Sequence, residues 1–92
     1  PLAAASHIAL AARPVPARET VEISFDLPAG ADVQLTIHDV AGREVARLID
    51  SVLGPGKQAA RWVRADARPG VYFARLSVNG QPAGSLPIVR VE

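Results

Sequence analysis

The sequence predicts an all-β domain, a sandwich of about seven short antiparallel strands. Three observations carry that prediction. Apolar and polar residues alternate with a period of two in several short segments, the pattern of strands with one face in a core and one in water. Turn-forming residues punctuate the chain roughly every eight to twelve positions, the spacing of a sandwich. No segment carries a convincing helical stripe.

The front of the chain, Ile8 to Arg13, reads as a first strand ahead of Pro14-Val15-Pro16, and residues 1–7 read as a linker from an upstream domain. Alternation is cleanest in Val21-Glu22-Ile23-Ser24-Phe25-Asp26-Leu27, and it returns in Val33-Gln34-Leu35-Thr36-Ile37-His38. With Pro28-Ala29-Gly30 as the turn between them, these two segments are expected to lie side by side as antiparallel neighbours. Asp39-Val40-Ala41-Gly42 has the residues of a type I turn, Asp first and Gly last. Val45, Leu48 and Ile49 fit a helical stripe as well as a strand. The shortness of the segment and its place after a hairpin turn favour a strand from Glu44 to Asp50.

Gly54-Pro55-Gly56 is a break. Lys57 to Val63 follows as a strand anchored by Trp62, and Ala65 to Gly70 as a turn. Val71 to Val78 is strongly β-prone, with Tyr72, Ala74, Leu76 and Val78 on one face. Asn79-Gly80 accepts the two positive φ angles of a type I′ hairpin. The last strand, from about Ser85 to Val91, contains Pro87. Having no N–H for a ladder, Pro87 places that strand at a sheet edge or marks a bulge. The resulting core is expected to centre on Phe25, Ile37, Trp62, Tyr72 and Leu76. Turns are expected at Asp39, Gly42, Gly54, Gly56, Gly70, Asn79 and Gly80.

Composition narrows the function. Ninety-two residues hold one core and not two, so residues 8–92 are read as a single domain. A hydrophobic content of 49% is enough to offset ordering entropy and excludes disorder. Ten basic residues against nine acidic ones leave a net charge of +1. The nearest thing to a cationic cluster, Arg61, Arg64 and Arg68, is interrupted by Asp66. Binders of nucleic acid concentrate their cations, so no nucleic-acid partner is expected. No apolar run approaches the roughly 20 residues of a membrane-spanning helix. Cysteine is absent, which excludes disulfides and thiol chemistry. Methionine is absent too and the chain begins at Pro1, so it reads as part of a longer or processed protein.

Few residues invite a chemical role. His38 stands beside Asp39, but neighbours in a strand point to opposite faces, so the pair should diverge. No nucleophile is placed to complete a triad, and Asp39 is better explained as a turn residue bonding its own backbone. The remaining acids are scattered, without the dense loop that calcium needs. Gly54 and Gly56 lack the Lys-Ser/Thr and helix of a phosphate loop. No catalytic residue, metal site or cofactor is therefore expected. Trp62 and Tyr72 could bind sugar if exposed, but a chain with four aromatics needs them in its core, packed together with their N–H and O–H reaching partners. If Tyr72 points inward, Phe73 points outward. Phe73, Arg75 and His38 are thus the candidate interaction surface.

Three ordered blocks resemble a known family. Leu35-Thr36-Ile37-His38-Asp39-Val40-Ala41-Gly42-Arg43-Glu44-Val45 is similar to the signature of FlgD-like immunoglobulin domains. Gly54-Pro55-Gly56 with Trp62, and Pro69-Gly70-Val71-Tyr72-Phe73-Ala74-Arg75-Leu76, are similar to that family's glycine turn and its following strands. Closely similar domains are the C-terminal sorting domains of type IX secretion. The chain departs from the family at Pro14-Val15-Pro16, where Asn-Pro-Phe is usual, and in its last strand, which lacks the usual lysine.

The resemblance implies an immunoglobulin-like sandwich and a non-catalytic C-terminal module of a larger exported bacterial protein, secreted or at the cell surface. It would act in secretion sorting or surface attachment, its partners being the upstream domain and the secretion machinery or a surface component. The alternatives are a structural or glycan- or protein-binding accessory domain of an extracellular hydrolase or adhesin, and a hook-cap-type assembly domain.

Overall fold

Alternation of side chains decides which residues meet in this fold, and the turns decide which strands do. The computed structural model describes residues 8–15, 18–63 and 68–91. Among them seven strands form: β1 (Ala11–Arg13), β2 (Val21–Leu27), β3 (Ala31–Asp39), β4 (Glu44–Leu53), β5 (Gly56–Trp62), β6 (Gly70–Val78) and β7 (Gln81–Arg90). A three-stranded sheet, sheet A, has the order β1-β2-β5, and a four-stranded sheet, sheet B, the order β4-β3-β6-β7. Every strand pair is antiparallel. The architecture is an immunoglobulin-like sandwich, as the sequence predicts. The expected linker 1–7 and residues 65–67 of the expected turn 65–70 lie outside the described residues.

The two cleanest alternating segments are not neighbours. Strand β2 pairs with β1 and β5, and β3 pairs with β4 and β6, so Pro28-Ala29-Gly30 carries the chain from one sheet to the other. Period-two patterning states which face of a strand is buried and is silent about its lateral partner. Each of the two is an interior strand of its sheet, flanked on both sides. Their apolar faces, Val21, Ile23, Phe25 and Leu27 on β2 and Ala31, Val33, Leu35 and Ile37 on β3, are all buried in one core. Tyr72, Ala74 and Leu76 of β6, Ala83 and Ile88 of β7, and Trp62 of β5 complete it.

Strand β4 is a strand, and its helix-like spacing has a structural cause. Its register against β3 slips twice, between Leu35/Thr36 and between Ile37/His38. Leu48 and Val45 fall at these two slips, between the paired residues Ile49 and Arg47 and between Ala46 and Glu44. A bulge adds one residue to the repeat, which turns a period of two into the i, i+3, i+4 pattern of residues 45, 48 and 49.

The turns behave as their residues dictate. Gly42 N–H donates to the Asp39 carbonyl at 2.9 Å, closing the four-residue turn, and Gly42 takes φ 87°. Asn79 and Gly80 have φ 51° and 80°, the pair of positive values that a type I′ turn needs. Asn79 Oδ1 also accepts the Asp32 N–H at 3.0 Å, tying this hairpin to the start of β3.

At the two ends the strands differ from expectation. Strand β7 begins at Gln81, four residues early, because its first residues continue the Asn79-Gly80 hairpin. It is the edge strand expected from Pro87, although the register slip lies between Leu76 and Ser77 and not opposite the proline. Strand β1 begins only at Ala11. Ile8 turns instead to β7, where its N–H donates to the Ala83 carbonyl at 2.7 Å and its side chain is buried. The crossing is close because residue 84 is glycine: an added Cβ would press on the Ile8 carbonyl. Gly84→Ala is expected to cost about 1–3 kcal/mol as overpacking, read as a lowered urea midpoint. A parent-like midpoint would contradict the close approach.

Candidate functional site

On the outer face of sheet B, the register aligns side chains from four strands into rows. One row runs Glu44, His38, Phe73, Pro87, and the next runs Arg47, Thr36, Arg75, Ser85. The three residues singled out from sequence therefore share one face: His38 lies directly opposite Phe73, and Arg75 follows Phe73 two residues along β6. Phe73 and His38 are half-buried and Arg75 is exposed. Val71 pairs with Val89 beyond Phe73, and both remain about 40% exposed, at 42% and 39%. The β6–β7 end of the face is thus an apolar patch on the surface. Between it and β4 the face is a shallow polar concavity lined by Gln34, Thr36, Arg75, Ser77 and Ser85.

The charges of this face are unevenly committed. Arg47 holds both Glu44 and Asp50 at 3.1 Å, and the hydrogen bond from Arg47 is the main reason the Glu44 carboxyl sits below its ordinary pKa. Among the described residues no acid is bonded to Arg75, whose cross-strand neighbours are Thr36 and Ser85.

His38 does not face Asp39. Its Nδ1 donates to the Gly42 carbonyl at 3.2 Å, and its Nε2 accepts the Thr36 hydroxyl at 2.9 Å. A carbonyl can only accept, which fixes that tautomer and occupies both ring nitrogens. Asp39 serves the turn, accepting the Ala41 and Arg43 N–H groups at 3.0 and 2.9 Å and the Arg43 guanidinium at 3.2 Å.

The Arg43 backbone N–H is the largest cause of the depressed Asp39 pKa. A depressed carboxyl stabilises the fold above its unfolded pKa, and this contribution is lost as pH falls through the folded value. Acid titration followed by the Gly42 amide resonance should therefore report the turn loosening below the ordinary carboxylate range. Asp39→Asn should abolish that titration; persistence of the same transition in Asp39→Asn would contradict the assignment.

Trp62 and Tyr72 are core residues, their rings 4.9 Å apart in an edge-to-face arrangement. The Tyr72 hydroxyl donates to the Arg68 carbonyl at 2.7 Å. Trp62 corrects the expectation of a partner for each polar tip: among the described residues its Nε1 meets no acceptor. What covers it is a cation that sequence reasoning missed. Arg90, 2% exposed, lies over the indole at 4.3 Å and donates to the carbonyls of Glu19 at 2.8 Å and Trp62 at 3.1 Å. The available signal was phase, since Arg90 continues the inward series Leu86, Ile88 on β7.

Among the described residues no three His, Asp or Glu side chains gather as metal ligands, and no helix is long and apolar enough to cross a membrane. Comparison with known proteins adds a family. The secretion system C-terminal sorting domain family matches residues 12–85. No curated protein sequence matches the chain. In structure the chain is similar to part of dimeric latent PorU from Porphyromonas gingivalis, with a TM-score of 0.72 and 18% identity over 89% of this chain and 9% of that one. A Bacillus anthracis protein is similar at a TM-score of 0.60 and 12% identity, over 94% of this chain and 73% of that one. The alkylpurine DNA glycosylase AlkC of Pseudomonas fluorescens is similar at a TM-score of 0.52 and 21% identity, over 94% of this chain and 30% of that one. Such likenesses show a shared sandwich and nothing about shared activity.

Proposed function

Because the chain belongs to the secretion system C-terminal sorting domain family, we propose that it is a folded recognition module without catalytic activity, and that the outer face of sheet B is the surface the export machinery reads. The coarser statement follows from the family itself. The chain is a C-terminal secretion-signal module of an exported bacterial protein, secreted or at the cell surface, linked to an upstream domain and served by secretion machinery.

The observation that carries the finer reading is the juxtaposition of Phe73 with Val71 and Val89, partly exposed, and Arg75, which no acid of its own face engages. Apolar groups left in water beside an uncommitted cation are the ordinary make-up of a contact surface. The non-catalytic reading is supported by His38, whose two nitrogens are both occupied by structural hydrogen bonds.

The test appends the domain to a carrier protein in a host with type IX secretion. The tailed carrier is expected outside the cell and the tail-less carrier in the periplasm. Equal export of both would overturn the reading.

A further inference from the structure

We infer that the outer face of sheet B binds an extended segment of a partner protein that carries a carboxylate and, two and four residues further along, apolar side chains. The inference rests on this face being the recognition surface, and it names the chemistry recognised there.

Three observations select that occupant. Arg75, Phe73 and Val71 stand at alternate positions of one strand and project from the same face. Their spacing is about 6.5–7 Å per two residues. An extended partner has the same repeat, so its alternate side chains fall over the three in turn. Arg75, with no acid bonded to it among the described residues, asks for an acid. Glu44 and Asp50 are both held by Arg47, and Arg47 stands in the same cross-strand row as Arg75, about 10 Å away across Thr36.

The sheet edges argue for binding on the face. The β7 edge contains Pro82 and Pro87, and the β4 edge carries Glu44, Arg47 and Asp50 together with two bulges. Prolines, charges and bulges are the devices that block strand addition. Ser77 and Ser85, which line the concavity beside Arg75, offer hydroxyls to the backbone of a segment lying across it. Sheet A does not offer the same combination: its outward Glu22 stands in register between Arg13 and Arg61, and Asp26 opposite Lys57.

The experiment titrates the isotope-labelled chain with a soluble blocked peptide of pattern Ser-Glu-Ser-Leu-Ser-Leu-Ser, and with the same peptide carrying lysine for glutamate. Resonance shifts are expected at Val71, Phe73, Arg75 and Val89, with the acidic peptide binding about tenfold more tightly. Arg75→Glu should invert that preference. Equal affinity for the two peptides, or equal shifts from acetate alone, would overturn the inference.

Failure here is separable from failure of the function. If the peptides show no preference but outer-face substitutions still block export, the face is the recognition surface and the acidic, apolar pattern is wrong. If the preference is seen and export is unaffected, the binding stands but its role as the recognition contact falls.

Discussion

Trp62→Ala is expected to destabilise the domain by about 3–5 kcal/mol. That is a large share of the roughly 5–15 kcal/mol holding a domain of this size together. Trp62 is 2% exposed and ends β5 of sheet A, yet its ring packs edge-on against Tyr72 of β6 and beneath Arg90 of β7 in sheet B. Its removal leaves a cavity at the end of the sandwich and takes the platform from a buried cation. Trp62→Phe should cost much less, because the aromatic face survives and a buried N–H that meets no acceptor among the described residues is removed. Urea denaturation measures both. A Trp62→Ala variant within 1 kcal/mol of the parent, a margin far below the usual cost of such a truncation, would contradict this account.

Arg90→Ala should follow closely, at about 3 kcal/mol. Truncation takes the donor from the buried Trp62 carbonyl, at about 1–3 kcal/mol for a buried group that stays unsatisfied, and one donor from the Glu19 carbonyl. It also ends the stacking on the indole, worth roughly 0.5–2 kcal/mol. Arg90→Lys should recover only part, since one ammonium lacks the planar fork that reaches two carbonyls while lying flat on a ring. The Trp62→Ala, Arg90→Ala double variant should lose less than the sum of the singles, because each removes the other's partner. Strict additivity in a double-mutant cycle would show that the two residues act independently.

The sandwich was legible in the sequence because period two and turn chemistry are local signals. The odd-numbered apolar residues of the two strands, Val21 to Leu27 and Ala31 to Ile37, are buried as that pattern requires, and Asn79-Gly80 closes the hairpin it names. What misled was non-local. Val21–Leu27 and Val33–His38 looked like a hairpin because they are consecutive, but both have their lateral partners elsewhere in the chain. The bulges of β4 disguised a strand as a helical stripe.

The candidate surface was legible for the same reason as the core. If Tyr72 faces in, Phe73 and Arg75 face out, and pairing of β3 with β6 then sets His38 opposite Phe73. The commitments of the charges could not be read, since they depend on which acids the register places beside Arg47. Arg90 was hidden by its type, because an arginine near a chain end is ordinarily exposed, and only its phase on β7 marks it as inward. Arg90 supplies a buried cation in the last strand.

The most direct test of the central claim is export of a carrier bearing the domain with Phe73→Ser and Arg75→Glu together. Both side chains lie on the outer face of sheet B and outside the buried core, so the melting temperature should stay close to that of the parent. The variant carrier is expected to accumulate in the periplasm while the parent leaves the cell. A stably folded variant exported as efficiently as the parent would contradict that claim.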